Sequence, residues 1–324
     1  MHILVIGGTR FIGPAVVDEL LGGGHSVTVF NRGNSELKLP AEVKVVTGDR
    51  RDPDYDTAIL KAAKPDAVVD MCCITADDAF WLSGVFNGHC GRLVLVSSCD
   101  VYRAYGRLIG TEPGEPDDVP LTEDSPLREK RYPYRGEEPR ADDDPRRILD
   151  DYDKIPAEEH ILGLESIEGV VTRLPMVYGP RDYQRRFWPY LSQMTAENGE
   201  IQLSERQAQW GDCRAFVGDV AHGIALAATH PSAHDSAYNI AEESNECLGD
   251  WVRRIATAVG WHGEVRFDGE VAEEDTTFYE QHLSIDSSRI RNELGYHELK
   301  PVEERIKLTA QWERNNPPPE PSGD

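Results

Sequence analysis

Ile3-Leu-Val-Ile6 is a run of four apolar residues, too short for a helix and bounded by glycine, and it reads as a buried strand. Comparable strand signals recur at Ser26–Phe30, Val43–Thr47, Ala67–Asp70, Arg92–Ser97, Val170–Arg173 and Ala237–Ile240. Helical patterns fall between them at Pro14–Leu21, Tyr55–Ala63 and Ala79–Phe86. This alternation predicts an α/β fold, a doubly wound parallel sheet to which the strand at Ala237–Ile240 returns.

One stretch breaks the rhythm. Residues 103–149 hold seven of the chain's 21 prolines, with the acidic clusters Glu137-Glu138 and Asp142-Asp143-Asp144. Proline has no amide donor and clashes with the preceding helical turn, so neither a regular helix nor a central strand is predicted here. A loop this long inside a compact domain is functional or loosely ordered. Tyr132, Tyr134, Arg131 and Arg135 give it the means to fold over a ligand. The proline-rich end, residues 315–324, reads as a disordered tail.

Candidate chemistry starts where the first strand ends. Gly7-Gly-Thr9-Arg10-Phe11-Ile12-Gly13 leads into a helix predicted to begin near Phe11. Gly7 permits a tight turn, and Gly13 permits the helix to pack closely on the strand. The backbone N–H groups between them, at a helix N-terminus, suit the pyrophosphate of a dinucleotide. In this position the pattern predicts a Rossmann nucleotide-binding start. The second strand ends at Asn31-Arg32, where such a fold tests the adenosine ribose. A carboxylate there would favour NAD, whereas Arg32, with Arg10 nearby, suits a 2′-phosphate and favours NADP over NAD.

Charge narrows the partners. The 324 residues carry 58 acidic against 34 basic side chains, a net charge of -24. Such a surface repels phosphate backbones, which argues against nucleic-acid binding, and it suits high solubility or salt adaptation. Six cysteines, including the adjacent Cys72 and Cys73, show no Cys-x-x-Cys or zinc spacing; no metal site is expected, and the thiols read as reduced and cytoplasmic. A strand from residue 2 leaves no room for a signal peptide, and no apolar run approaches the ~20 residues of a membrane span.

An ordered set of motifs now accumulates. It comprises Gly7–Gly13, Gly48-Asp49-Arg50-Arg51-Asp52, Ser97-Ser98-Cys-Asp-Val-Tyr102, Lys154-x-x-x-Glu158, Arg173-Leu-Pro-Met-Val-Tyr-Gly-Pro180, Tyr238-Asn-Ile and Leu294-Gly-Tyr-x-x-x-x-Pro301. In this order the chain resembles the extended short-chain dehydrogenase/reductase family, the sugar-nucleotide epimerases and dehydratases. The resemblance implies a Rossmann domain over 1–180 with the 103–149 insertion. It also implies a smaller substrate lobe over 181–314, from which 213–241 returns to the Rossmann domain. Asp49 would accept from the adenine amino group with Arg50 beside it, and Cys72 and Cys73 would line the cofactor. Pro175 and Val177 would lie against the nicotinamide. Ser98 would bond the reacting substrate oxygen, and Lys154 would hold the nicotinamide ribose and lower the pKa of a catalytic tyrosine. The family commonly dimerises through a four-helix interface, so a homodimer is expected.

The chain departs from the family at that tyrosine. Tyr-x-x-x-Lys on one helix places phenol and ammonium on the same face, and a phenol of ordinary pKa ~10 needs a nearby cation to act as a base near neutrality. Four residues before Lys154 stands Asp150; the available phenol is Tyr152. Pro156 suits a first helical turn; with Asp153 as the N-cap, Lys154, Ile155 and Pro156 occupy that turn and Tyr152 stands outside it, free of the helical spacing. Tyr152 is the expected acid/base and Asp150 the rival. A literal Tyr-x-x-x-Lys at Tyr296–Lys300 is followed by Pro301 and reads as coincidence.

In the substrate lobe, Arg181, Arg185, Arg186 and Arg214 could grip a pyrophosphate, and Phe187, Trp188 and Trp210 could stack a base. Arg214-Ala-Phe-Val resembles the family's diphosphate-binding segment, with two residues fewer before Asp219. The expected activity is NAD(P)-dependent epimerisation, dehydration or reduction of a nucleotide sugar or related polyol by hydride transfer. The displaced tyrosine and the Arg10 that replaces a motif glycine leave a second reading open, a nucleotide-binding protein without catalysis. The Arg10 variant also occurs in plastid stem-loop RNA-binding relatives, an activity the acidic charge opposes.

Overall fold

A computed structural model describes residues 1–52, 54–195, 199–244, 246–272 and 275–318. Among the described residues there are eleven strands: β1 His2–Ile6, β2 Ser26–Asn31, β3 Lys44–Thr47, β4 Ala67–Asp70, β5 Arg92–Ser98, β6 Glu168–Leu174, β7 Met176–Tyr178, β8 Glu200–Gln202, β9 Arg214–Phe216, β10 Ser236–Asn239 and β11 Glu264–Arg266. Seven of them, the seven legible from apolar runs, form one parallel sheet in the order β10-β6-β5-β4-β1-β2-β3. The order reverses beside β1, which opens a crevice at the carboxyl ends of β1 and β4.

Strand alternation feeds two layers. Ile3 and Val5 of β1, with Val94 and Val96 of β5, pack against helices α1 (Ile12–Gly22) and α8 (Val217–Thr229) through Val16, Leu20, Val220 and Ile224. Leu4 and Ile6, with Leu93 and Leu95, face α3 (Ala76–Phe86) and α5 (Lys154–Leu162) through Leu82, Phe86, Ala157 and Ile161. Helix α3 starts three residues before the predicted Ala79, because the Thr75 side chain accepts from the Asp78 amide while Asp78 accepts from the Thr75 amide. The predicted helix at Tyr55–Ala63 shortens to α2, Ala58–Ala62.

The prediction of no regular helix across 103–149 fails at its start. Arg103–Leu108 forms the short helix α4, and the first proline of the stretch is Pro113, beyond it. A 3-10 turn, Arg147–Asp150, closes the segment. Between these, the chain is tied down. Leu121 donates to the Ser284 carbonyl at 2.7 Å and accepts from Asp286 at 2.9 Å. Glu123 accepts from the Asn239 amide of β10 at 2.8 Å, and its carbonyl accepts from Arg173 at 2.9 Å.

The remaining helices are α6 Trp188–Thr195, α7 Glu205–Gln209, α9 Leu248–Ala258, α10 Ser288–Leu294 and α11 Val302–Asn315. They accompany two small parallel pairs, β7 with β9 and β8 with β11. Helix α11 takes in Asn315, the first residue of the expected tail; residues 319–324 lie outside the described residues. Among the described residues, no helix is long and apolar enough to cross a membrane.

Candidate active site

The turn after β1 holds Gly7 at φ +97° and Gly8 at φ +71°, a region L side chains rarely adopt. A Cβ on Gly13 would stand 2.5 Å from the Gly8 Cα, so the close approach that requires this glycine is to the turn itself rather than to the strand. Phe11, at φ +43°, is the N-cap of α1, and its buried ring meets Tyr183 edge-on at 6.1 Å. Thr9 and Ile12 are half-buried, whereas Arg10 is exposed. The concave, Cβ-free backbone at the start of an 11-residue helix fits a dinucleotide phosphate pair.

Around this cradle stand the ends of β2, β3 and β4. Asn31 accepts from the Gly33 amide at 2.7 Å. Arg32 is exposed and meets no carboxylate among the described residues. Asp49 is half-buried and accepts from the Arg51 amide at 3.0 Å. Arg50 is more constrained than its expected place beside the adenine. It forks onto buried Asp70 with two bonds of 2.7 Å, approaches the Cys72 thiol at 3.0 Å and lies over the Trp81 ring, so its charge is committed to the end of β4. Cys72 is exposed, 3.5 Å from where a Gly7 Cβ would be; Cys73 is buried.

At the end of β5 the expected catalytic groups approach one another. Ser98 caps the 3-10 turn Cys99–Val101, its hydroxyl accepting from the Asp100 amide at 3.3 Å. Asp153 is the N-cap of α5, which puts Pro156 in the first turn, and its carboxylate accepts from the Ile155 amide at 3.2 Å. Tyr152 therefore precedes the helix, and its hydroxyl donates to Asp100 Oδ2 at 2.7 Å. Lys154 is buried with Nζ donating to the carbonyls of Cys73 at 2.9 Å and Val96 at 2.8 Å, and it lies 5.9 Å from the Tyr152 ring centroid. Burial, and then the adjacent Asp100 charge, pushes the Tyr152 phenol well above its ordinary range. Asp150, the rival base, is held by Arg140 and Arg147 at the mouth of the insertion. Of the coincidental pair, Tyr296 is buried under Arg291, and Lys300 pairs at the surface with Glu304.

Sequence reasoning missed Asp100, and it named Tyr134 only among the residues able to fold the insertion over a ligand. Tyr134, from the insertion, donates to the same Asp100 oxygen at 3.0 Å and exchanges a 3.0 Å bond with the Tyr105 hydroxyl. The rings of Tyr134 and Tyr152 meet edge to face at 5.1 Å. Buried Arg128 holds the Asp100 main-chain carbonyl and reaches Asp153 at 3.5 Å. A charged residue between Cys99 and Val101, directly after a buried strand, was the one signal available.

The substrate side corrects several expectations. Phe187 stacks on Tyr178 at 5.3 Å inside the core, and Trp210 is buried with its indole donating to the Gln281 carbonyl at 3.0 Å, so neither is free to stack a base. Trp188 is half-buried at the start of α6. Arg185 pairs with Glu313 at 3.2 Å and Arg186 with Asp182 at 3.0 Å. Arg214 is buried against Asp212 and stacks over Trp251, its charge already met. Arg181 stays exposed at φ +71°, with no ion pair among the described residues. Pro175 and Val177 are buried on either side of Met176. A cavity of about 450 Å³ opens beside Arg214, Glu242, Trp251, Glu298 and Arg305. Within it Glu242 accepts from Tyr178 and from Arg305, each at 2.7 Å, and burial pushes its carboxyl up to about 7 against the pull of Arg305.

Known proteins resemble this chain in sequence and in fold. A 2'-dehydrokanamycin reductase of Streptomyces kanamyceticus is 40% identical over 98 residues, 30% of this chain and 28% of that protein. A UDP-glucose 4-epimerase of Neisseria meningitidis is 25% identical over 349 residues, covering 98% of each chain. The crystal structure of a UDP-glucose 4-epimerase of Thermotoga maritima with UDP-glucose superposes with a TM-score of 0.71 at 19% identity, over 97% of this chain and 99% of that one. The profile of the NAD dependent epimerase/dehydratase family matches residues 3–241, which includes the glycine turn, Ser98, Lys154 and the whole main sheet but for the first residue of β1. The chain belongs to the NAD dependent epimerase/dehydratase family.

Proposed function

We propose that this protein is an NAD(P)-dependent epimerase, dehydratase or reductase that acts on a nucleotide sugar. The supporting observation is that Ser98 ends β5, Lys154 Nζ bonds the Val96 carbonyl of β5 and the Cys73 carbonyl just after β4, and the Tyr152 hydroxyl bonds Asp100 just after β5, at the strand ends next to the one that carries the glycine turn. The relatives named as UDP-glucose 4-epimerases support the substrate class.

The chemistry supplied by the bound cofactor is hydride uptake and return. Gly7, Gly8 and Gly13 leave the backbone open to its phosphates, Asp49 accepts from the adenine, and Cys72, Cys73, Pro175 and Val177 line its path. Lys154 orients the ribose, Ser98 bonds the substrate oxygen, and Tyr152 moves the hydroxyl proton. Arg32, exposed just after β2 and without an ion pair among the described residues, with Arg10 exposed in the glycine turn, favours a 2′-phosphate and hence NADP. Arg181, without an ion pair among the described residues, is available to a diphosphate, with Arg214 contributing if Asp212 yields. The outer faces of α3 and α5 form the dimer contact, where Phe80 is exposed against His160.

The direct test is calorimetric titration with NAD and NADP, followed by a panel of UDP- and dTDP-hexoses assayed for hydride transfer or epimer formation. Failure to bind either cofactor overturns the reading. The second reading, cofactor binding without catalysis, is favoured by the Tyr152 hydroxyl pointing at a carboxylate; tight binding with no turnover across the panel would establish it.

A further inference from the structure

We propose that Asp100 is the proton store of this active site, taking through Tyr152 the proton that the substrate hydroxyl gives up. The inference rests on the reading above and concerns how its proton moves.

The geometry separates this site from one in which an ammonium activates a phenol. Lys154 Nζ donates to two main-chain carbonyls and lies over the Tyr152 ring face, 5.9 Å from its centroid, while the Tyr152 hydroxyl donates at 2.7 Å to Asp100 Oδ2. A phenolate beside a carboxylate is an unfavourable pair of like charges. A shuttle avoids that state. Tyr152 oxygen accepts the substrate O–H proton as its own proton passes to Asp100 Oδ2, so the phenol is neutral before and after. On the substrate, the O–H and C–H bonds break and C=O forms. The C–H electron pair leaves as the hydride that an oxidised nicotinamide, held by the glycine turn and Lys154, would accept, and the negative charge of Asp100 is neutralised. The return step runs in reverse.

The surroundings suit a store. Asp100 is 4% exposed, and its Oδ1 is buried with no hydrogen-bond partner among the described residues. The titratable or charged groups facing it are the phenols of Tyr105, Tyr134 and Tyr152, the Cys99 thiol and the Arg128 guanidinium on its own carbonyl. Tyr134, delivered by the insertion, is a positioning residue. It donates to the oxygen that Tyr152 uses, and so holds the carboxylate turned toward the phenol.

The test begins without cofactor or substrate. Tyrosinate absorbance is titrated in wild type, D100N, Y152F and the double variant, with circular dichroism to establish folding. Removing the carboxylate's charge should lower the alkaline midpoint of one tyrosine equivalent in D100N relative to wild type, with burial still holding it above the ordinary range, and the shift should be absent from the double variant. Identical titrations of folded wild type and D100N would overturn the proposal. Y134F provides a second folded background in which the same comparison is made should D100N unfold. With an active substrate, D100N should lose roughly 100-fold or more in hydride transfer, in the range of general acid–base assistance. Cofactor affinity should hold. Full activity in D100N would overturn the proposal, whereas an inactive wild type that still shows the tyrosine shift would fault the assigned reaction and leave the pairing intact.

Discussion

Gly13 sits against Gly8 so closely that a single added methyl carbon would lie 2.5 Å from the Gly8 Cα. The turn and the helix that follows it are thus one packed unit. In G13A the helix must move off the turn, a cost of about 1–3 kcal/mol in the manner of an overpacked core. Thermal denaturation should show the lost stability, and calorimetry should show NAD affinity reduced at least roughly tenfold, since each ~1.4 kcal/mol changes the dissociation constant by that factor.

Arg32 tests cofactor choice without touching the fold, because it is exposed and meets no carboxylate among the described residues. A charge-assisted bond to a 2′-phosphate is worth about 1.5–3 kcal/mol. R32A should therefore weaken NADP binding by roughly 10- to 100-fold and leave NAD binding unchanged. Equal losses for both cofactors would remove the basis for preferring NADP.

Arg173 and Glu158 are a buried pair, 2.7 Å apart, and Glu158 also accepts from the Ser97 hydroxyl. R173M strands the carboxylate in the interior, and breaking such a pair costs about 3–5 kcal/mol. The double change E158Q/R173M should be less damaging than the sum of the single changes, because the residues share one network. Denaturant midpoints of the four proteins measure this directly.

Glu242 and Glu298 give stability two opposed pH dependences. Burial raises Glu242 from its ordinary 4.5 to about 7, so the native protein keeps a proton that the unfolded chain has released. Its contribution is full below 4.5 and is lost as pH rises to about 7. Glu298 moves the other way: burial would raise it, but its bonds from Arg291 and the Glu243 amide bring it down to about 2. That contribution is present above 4.5 and lost as pH falls toward 2. E242Q should flatten the fall in thermal midpoint between pH 4.5 and 7, while E298Q should flatten the rise from about 2 to 4.5.

The sheet was legible because its strands are covered on both faces and therefore read as short apolar runs, such as Ile3–Ile6 and Leu93–Val96. The start of α5 was legible because Pro156 tolerates few helical positions and Asp153 is a strong cap. Phe187 and Trp210 were not, since an aromatic ring in a core and one in a binding pocket have the same local sequence. The arginines failed similarly: Asp212, two residues from Arg214, gives no sign in sequence of pointing at it. The Asp100 cluster joins segments 34 and 52 residues apart, and no periodicity encodes such a meeting.

The anchoring of Leu121 has a consequence for how the protein is completed. Its main-chain partners, Ser284 and Asp286, come far later in the chain than any strand of the main sheet. As the polypeptide is made from its N-terminus, all seven main-sheet strands and the glycine turn are in hand by Asn239. The strip that carries Tyr134 across to Asp100 still lacks its last fastening at that stage. Synthesis thus separates the nucleotide cradle from the finished cover over the tyrosine cluster, and a chain ending before Ser284 would retain the first without the clasp on the second.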